Sequence, residues 1–127
     1  MSRAASSRVT GLRTVAVPVG DQDRALTFYV EVLGLDVRLD APLPQIGGRW
    51  IEVAAPGAVT SIALVPATVD HPRGRPTGIR LATDDAGALH ARLAGRGVDV
   101  GELLQWPGVP AMFELRDPDG NTLVVVG

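Results

Sequence analysis

Apolar residues return along this chain with two different periods. Val15, Val17 and Val19 alternate with Thr14, Ala16 and Pro18, a period of two that predicts a strand with one buried face. The period then lengthens: Leu26, Tyr29 or Val30, and Leu33 fall on one stripe of a helix. Asp21 or Asp23 stands where free N–H groups at the helix start need an acceptor, and Gly34 stands where a helix ends in a left-handed residue. A short strand follows at Asp36-Val37.

The same order occurs again in the second half. "TVAVPVGDQDRALTFYVEVLGLDV" (14 to 37) matches "GIRLATDDAGALHARLAGRGVDV" (78 to 100). Ile79 and Leu81 take the places of Val15 and Val17, Asp85 that of Asp21, Leu89 that of Leu26, and Gly97 that of Gly34. Beyond each helix lies a hairpin. "GGRWIEVAAPGAVTSIALVP" (47 to 66) aligns with "PAMFELRDPDGNTLVVVG" (110 to 127), with Trp50 against Met112, Glu52 against Glu114 and Gly57 against Gly120. Proline and glycine suit both turns, and "DPDGN" (117 to 121) reads as a hairpin turn that fixes the register of the strand behind it. The fold class is α+β: two tandem βαβββ modules, 12–66 and 78–127, joined by a Pro- and Gly-containing linker at 67–77. They form a curved mixed sheet around a concave cup with the helices outside.

Composition narrows the chemistry. The 127 residues suit a single domain with its own core, and 46% hydrophobic against 20% charged residues describes a globular chain. With 12 basic residues, all of them arginine and scattered, against 14 acidic ones, nothing favours nucleic acid or an anionic membrane. The absence of cysteine excludes disulfides, thiolate nucleophiles and cysteine-based metal sites. The polar start "MSRAASSRVTGL" lacks the apolar stretch of a secretory signal, and a cytoplasmic location is expected. Neither a serine nucleophile elbow nor a phosphate-cradling loop is present. His71 falls in the linker and His90 on the second helix, where it reads as outward-facing; neither is taken as a ligand or a base.

With the repeat in place, "VAVPVGDQDRALTFYVEVLGL" and "FELRDPDGN" make the chain resemble the vicinal oxygen chelate superfamily, the glyoxalase, bleomycin-resistance and extradiol-dioxygenase group, over roughly residues 12 to 126. The resemblance implies a divalent metal on the concave face, held by residues of four strands. Those places fall here on Thr14, on Gly78 (or Thr77), on Val124 and within "SIALV" (61 to 65). None offers an imidazole or a carboxylate, the donors such a site needs. No metal and no cofactor are therefore expected. The resemblance also implies a symmetric homodimer with cups at or near the subunit boundary.

If Thr14 and Gly78 lie on the concave face, alternation adds Ala16, Pro18, Arg80 and Ala82, and hairpin pairing sets Glu114 opposite Val124 and Met112 beside Val126. Trp50 and Glu52 join from the first module. Arg80 anchors an acidic ligand, pairs with Glu114 or Glu52, or stands in solvent on an edge strand. The two glutamates serve as bases or acceptors, hold a weak hard cation between them, pair structurally with a cation, or face solvent. Trp50, Trp106 and Met112 offer an apolar, stackable wall, or ordinary packing. The expected ligand-binding set is Arg80, Glu114, Glu52, Trp50, Met112, Trp106, Thr14 and Val124. The expected function is metal-independent binding of a small organic ligand, a drug or metabolite, in an apolar cup. The alternative is a lyase, isomerase or dioxygenase of the same superfamily with a non-standard or absent metal site.

Overall fold

The computed structural model describes residues 7–127, so residues 1–6 of the polar start lie outside the described residues. β1 (Thr14–Val19) leads into α1 (Gln22–Leu26), which widens into a π-helical segment, Thr27–Val32. β2 (Asp36–Leu43), a 3₁₀ turn at Pro44–Ile46, β3 (Gly48–Ala54) and β4 (Ser61–Pro66) complete the first module. The second comprises β5 (Pro76–Ala82), α2 (Ala86–Gly95), β6 (Met112–Arg116) and β7 (Thr122–Val126). Both helices begin as their sequences dictate: Asp21 accepts from the Arg24 N–H and Asp85 from the Ala88 N–H.

The strands form two sheets, a four-stranded one in the order β1-β4-β3-β2 and a three-stranded one in the order β5-β7-β6. β1 runs parallel to β4 and β5 parallel to β7; the remaining pairs are antiparallel. The duplication holds at the level of single residues. In the first sheet Ala16 pairs with Ala63 and Ala63 with Glu52. In the second Arg80 pairs with Val124 and Val124 with Glu114. The expected pairings of Glu114 with Val124 and Met112 with Val126 are both present.

The second module departs from the repeat at its second strand. Between α2 and β6 there are only isolated bridges, Val100 to Leu115 and Leu104 to Met112. Gly101, Pro107, Gly108 and Pro110 interrupt this stretch, and a segment so punctuated cannot sustain a ladder. His90 corrects the expectation of an outward-facing side chain. It is half-buried, its Nε2 lies 2.8 Å from the Gly101 carbonyl, and its ring meets Phe113 edge-on at 5.0 Å.

One core joins the modules. Val17, Val19, Ile51, Val53 and Leu64 from the first sheet pack in the same cluster as Leu93, Phe113, Leu115, Leu123 and Val125 from the second module. The helices lie on this core side of the sheets, away from the opposite faces. A buried polar knot closes the junction. Tyr29, fully buried on the π-helical turn, donates its hydroxyl to Asp117 Oδ2 at 2.8 Å. Asn121 Nδ2 donates to the Pro18 carbonyl of β1 at 2.7 Å and to Asp117 Oδ2 at 3.0 Å, while its Oδ1 accepts from the Gly74 N–H. Asp119 accepts from the Gly20 N–H at 2.9 Å and from Arg73 at 3.1 Å. The "DPDGN" segment is a turn, with Gly120 at φ 81°, and it is also the fastening between the two halves.

Candidate functional site: the concave face and the seam

On each sheet one set of side chains enters the core and the other faces away. In the first module the outward set contains Thr14, Ala16, Trp50, Glu52, Ser61, Ala63 and, on β2, Leu39 and Ala41. In the second it contains Arg80, Ala82, Met112, Glu114, Val124 and Val126. These are the two walls expected of the cup. Ala16, Arg80, Ala82 and Glu114 are exposed, whereas Trp50, Glu52, Met112 and Val124 are half-buried.

The first wall carries a hydrogen-bonded chain. Trp50 Nε1 donates to Glu52 Oε2 at 2.8 Å, and Ser61 Oγ donates to the other carboxylate oxygen at 2.7 Å. Thr14 Oγ1 lies 3.0 Å from Ser61 Oγ and donates to the Ser61 carbonyl at 3.1 Å. The bonds from Trp50 and then Ser61 hold the Glu52 carboxyl below the usual carboxylate range, with Arg13 and Arg38 adding more distant positive charge. Ser61 is a residue the sequence reading missed. It lies in "SIALV" (61 to 65), a stretch with no acid or imidazole to mark it. Its place at the start of β4, opposite the start of β1, is the signal that could have found it.

The second wall is different. Arg80 and Glu114 flank Val124 on neighbouring strands, and neither side chain makes a hydrogen bond or ion pair with another described residue. The internal pairing of Arg80 with Glu114 or Glu52, one of the three readings of its charge, does not occur, and the side chain is exposed on edge strand β5. Trp106 stands apart from both walls on the exposed loop between Leu104 and Met112, with 57% of its surface accessible. Thus the structure groups Thr14, Trp50 and Glu52 with Ser61, and Arg80 with Val124, Glu114 and Met112, and leaves Trp106 outside.

β1 and β5 are edge strands of separate sheets, and the larger cavity, of about 390 Å³, lies along the seam where they and their neighbours meet. Val15, Ile62, Ile79, Leu81 and Val125 make it apolar; Arg80 is the one charged residue in its lining. A second cavity of about 210 Å³ lies by the linker, near His71, Arg75 and Asn121.

The positions at which the resemblance implies a metal do not fit one. The Thr14 hydroxyl is engaged with Ser61, and Val124 has no donor atom. Gly78 sits at φ 75° in a bulge of β5, and the Thr77 hydroxyl donates to the Thr122 carbonyl while accepting from the Ile79 N–H. Among the described residues no group of three or more His, Cys, Asp or Glu side chains converges. Also among them, no helix is long and apolar enough to cross a membrane.

Comparison with known proteins agrees with this architecture. TnmS3, an antibiotic binding protein from Streptomyces sp. CB03234, is 39% identical and superimposes with a TM-score of 0.83 over 93% of this chain and 95% of its own. A superfamily member from Sphaerobacter thermophilus DSM 20745 is 32% identical with a TM-score of 0.84, covering 93% of this chain and 97% of its own. YetH, an uncharacterised protein of Bacillus subtilis (strain 168), is 30% identical over 117 residues, 88% of this chain and 93% of its own. The model of one family matches residues 11–125. The duplicated modules, their matched register and this span of similarity place the chain in the Glyoxalase/Bleomycin resistance protein/Dioxygenase superfamily.

Proposed function

We propose that the protein binds a small organic ligand without a metal ion, in the manner of a sequestering resistance protein. The observation that carries this reading is the apolar seam cavity of about 390 Å³ with the guanidinium of Arg80 in its lining, unpaired among the described residues. That volume lies within the range of small-molecule sites, and such sites combine an apolar wall with a few fixed polar groups. The similarity to TnmS3, an antibiotic binding protein, supports a binding role. The donor chemistry at Thr14, Gly78 and Val124 supports a metal-independent one. Arg80 anchors an acidic group at this cavity, while Glu52, Glu114, Trp50, Met112, Thr14 and Val124 stand on the outward faces of the two sheets, beyond the cavity lining, and Trp106 stands on its loop outside both.

The reading extends to a homodimer in which a second copy covers the concave faces. Val37 and Leu39 of edge strand β2 are 48% and 44% exposed, an unusual display for large aliphatic side chains on a β-edge.

The test uses 2-naphthoate, a flat acid small enough for the cavity, in calorimetric titrations. The wild type binds it, and Arg80→Met weakens it by about tenfold or more, the loss of a hydrogen bond to a charged group. Equal affinity in the two proteins removes Arg80 from the site, and absence of binding to the wild type removes the acidic ligand class.

A further inference from the structure

We propose that Trp50 and Glu52 form a subsite for an organic cation, a quaternary or protonated nitrogen carried on a flat apolar body. This rests on the small-molecule reading above and names a second ligand group that the binding face accepts.

The indole of Trp50 has one hydrogen-bond donor, and Glu52 occupies it at 2.8 Å. A ligand therefore meets the ring through its face, where the quadrupole attracts positive charge. The carboxylate beside it stays ionised, because Trp50 and Ser61 each donate to one of its oxygens. A carboxylate has room for about four hydrogen bonds, so acceptor capacity on both oxygens remains for a ligand. No described cation forms an ion pair with Glu52; Arg13 and Arg38 act on it from beyond that distance. Arg38 is itself turned to the carbonyls of Ala55 and Ala58.

Both groups are held before any ligand arrives. They stand two residues apart on one strand and so on one face. Their cross-strand neighbours Ala41 and Leu39 on β2, and Ala63 on β4, present short or apolar side chains. Ser61, only 3% exposed, fixes the carboxylate from below and is steadied by Thr14.

The duplication supplies an internal comparison. The second module has Met112 where the first has Trp50, and Glu114 where it has Glu52. Glu114 is exposed and has no donor holding it. The pairing of aromatic face and tethered carboxylate belongs to the first wall, while the second wall carries the guanidinium.

The experiment compares two probes of equal shape, N-methylquinolinium and 1-methylnaphthalene. Dissociation constants are measured for each, and binding at the subsite is read from the Trp50 indole N–H resonance, identified by its loss in Trp50→Phe. N-methylquinolinium is expected to bind roughly tenfold more tightly than its neutral counterpart and to shift that resonance. Glu52→Gln should bring the two affinities together. Ser61→Ala, which keeps the charge, should preserve the preference. Equal binding of both probes to the wild type, with the resonance shifted, overturns the cation preference and leaves the binding face intact. Failure of N-methylquinolinium to move the resonance overturns the subsite outright, and the Arg80→Met titration then decides the broader reading alone. The wild-type comparison stands even if Glu52→Gln does not fold.

Discussion

The Tyr29 hydroxyl lies 2.8 Å from Asp117 Oδ2, joining residues 88 positions apart, and both side chains are buried. The bond ties the helix of the first module to the last hairpin of the second. Asn121 shares the same carboxylate oxygen and reaches Pro18 on β1. Tyr29→Phe should cost about 1.5–3 kcal/mol in urea unfolding, the range for a hydrogen bond to a charged group. Asn121→Ala should cost about 2 kcal/mol or more, since it strands the Pro18 carbonyl and the Gly74 N–H. Because both act on Asp117, the double variant should lose less than the sum. Additive losses would mean that the knot does not act as a unit.

Alkaline pH should weaken the same junction. Burial, and then the neighbouring Asp117 carboxylate, push the Tyr29 hydroxyl far above the ordinary tyrosine range. An unfolded tyrosine releases its proton near pH ~10, whereas the folded chain retains it. The contribution of Tyr29 is therefore complete below about pH 10 and declines above it, by about 1.4 kcal/mol per further pH unit. Unfolding midpoints at pH 8 and 11 should show the advantage of wild type over Tyr29→Phe shrinking. A constant difference between them would contradict this.

Arg80 should matter to ligands and hardly at all to the fold. Its side chain is exposed and bonded to no described residue, so Arg80→Met leaves no buried charge behind. Its unfolding free energy should stay within about 0.5 kcal/mol of wild type. A larger loss would indicate a structural partner for the guanidinium.

Chelation should have no thermal effect. A ligand that binds only the folded state raises stability by mass action, so removing a resident ion lowers the melting temperature. With Thr14, Gly78 and Val124 at the places where donors are needed, EDTA should leave the midpoint unchanged and the dialysed protein should contain no stoichiometric divalent metal. A drop of several degrees would restore the metal reading.

Sedimentation equilibrium should give about twice the 13.3 kDa chain mass. Substituting Leu39→Glu on the exposed β2 edge should shift the species toward monomer. A wild-type monomer at every concentration would rule out the covered cup.

The strand register was readable because local rules dictate it. Alternation and turn chemistry alone set Glu114 against Val124, and the acidic caps at Asp21 and Asp85 mark both helix starts. The knot was not readable. "DPDGN" looks like any tight turn until Tyr29 arrives from 88 residues away, and nothing local encodes that meeting. The widening of the first helix at Thr27–Val32 has the same origin, since its stripe of Leu26, Tyr29 and Leu33 suits an ordinary helix equally well. Ser61 stayed hidden because a hydroxyl gains its meaning here from the carboxylate it meets across two strands. The strand register of the candidate face was thus legible, while Trp106, placed on a separate loop, and the division of partners within the face were not.

β1 and β5 border the seam cavity from separate sheets, and among the described residues no ladder bond crosses between them. Opening that border breaks side-chain contacts and no backbone pairing. For the binding role proposed above, the rates at which a guest enters and leaves would then follow how often the two modules part, and loosening the knot at Tyr29 would shorten residence time and quicken capture together, although Tyr29 lines neither cavity.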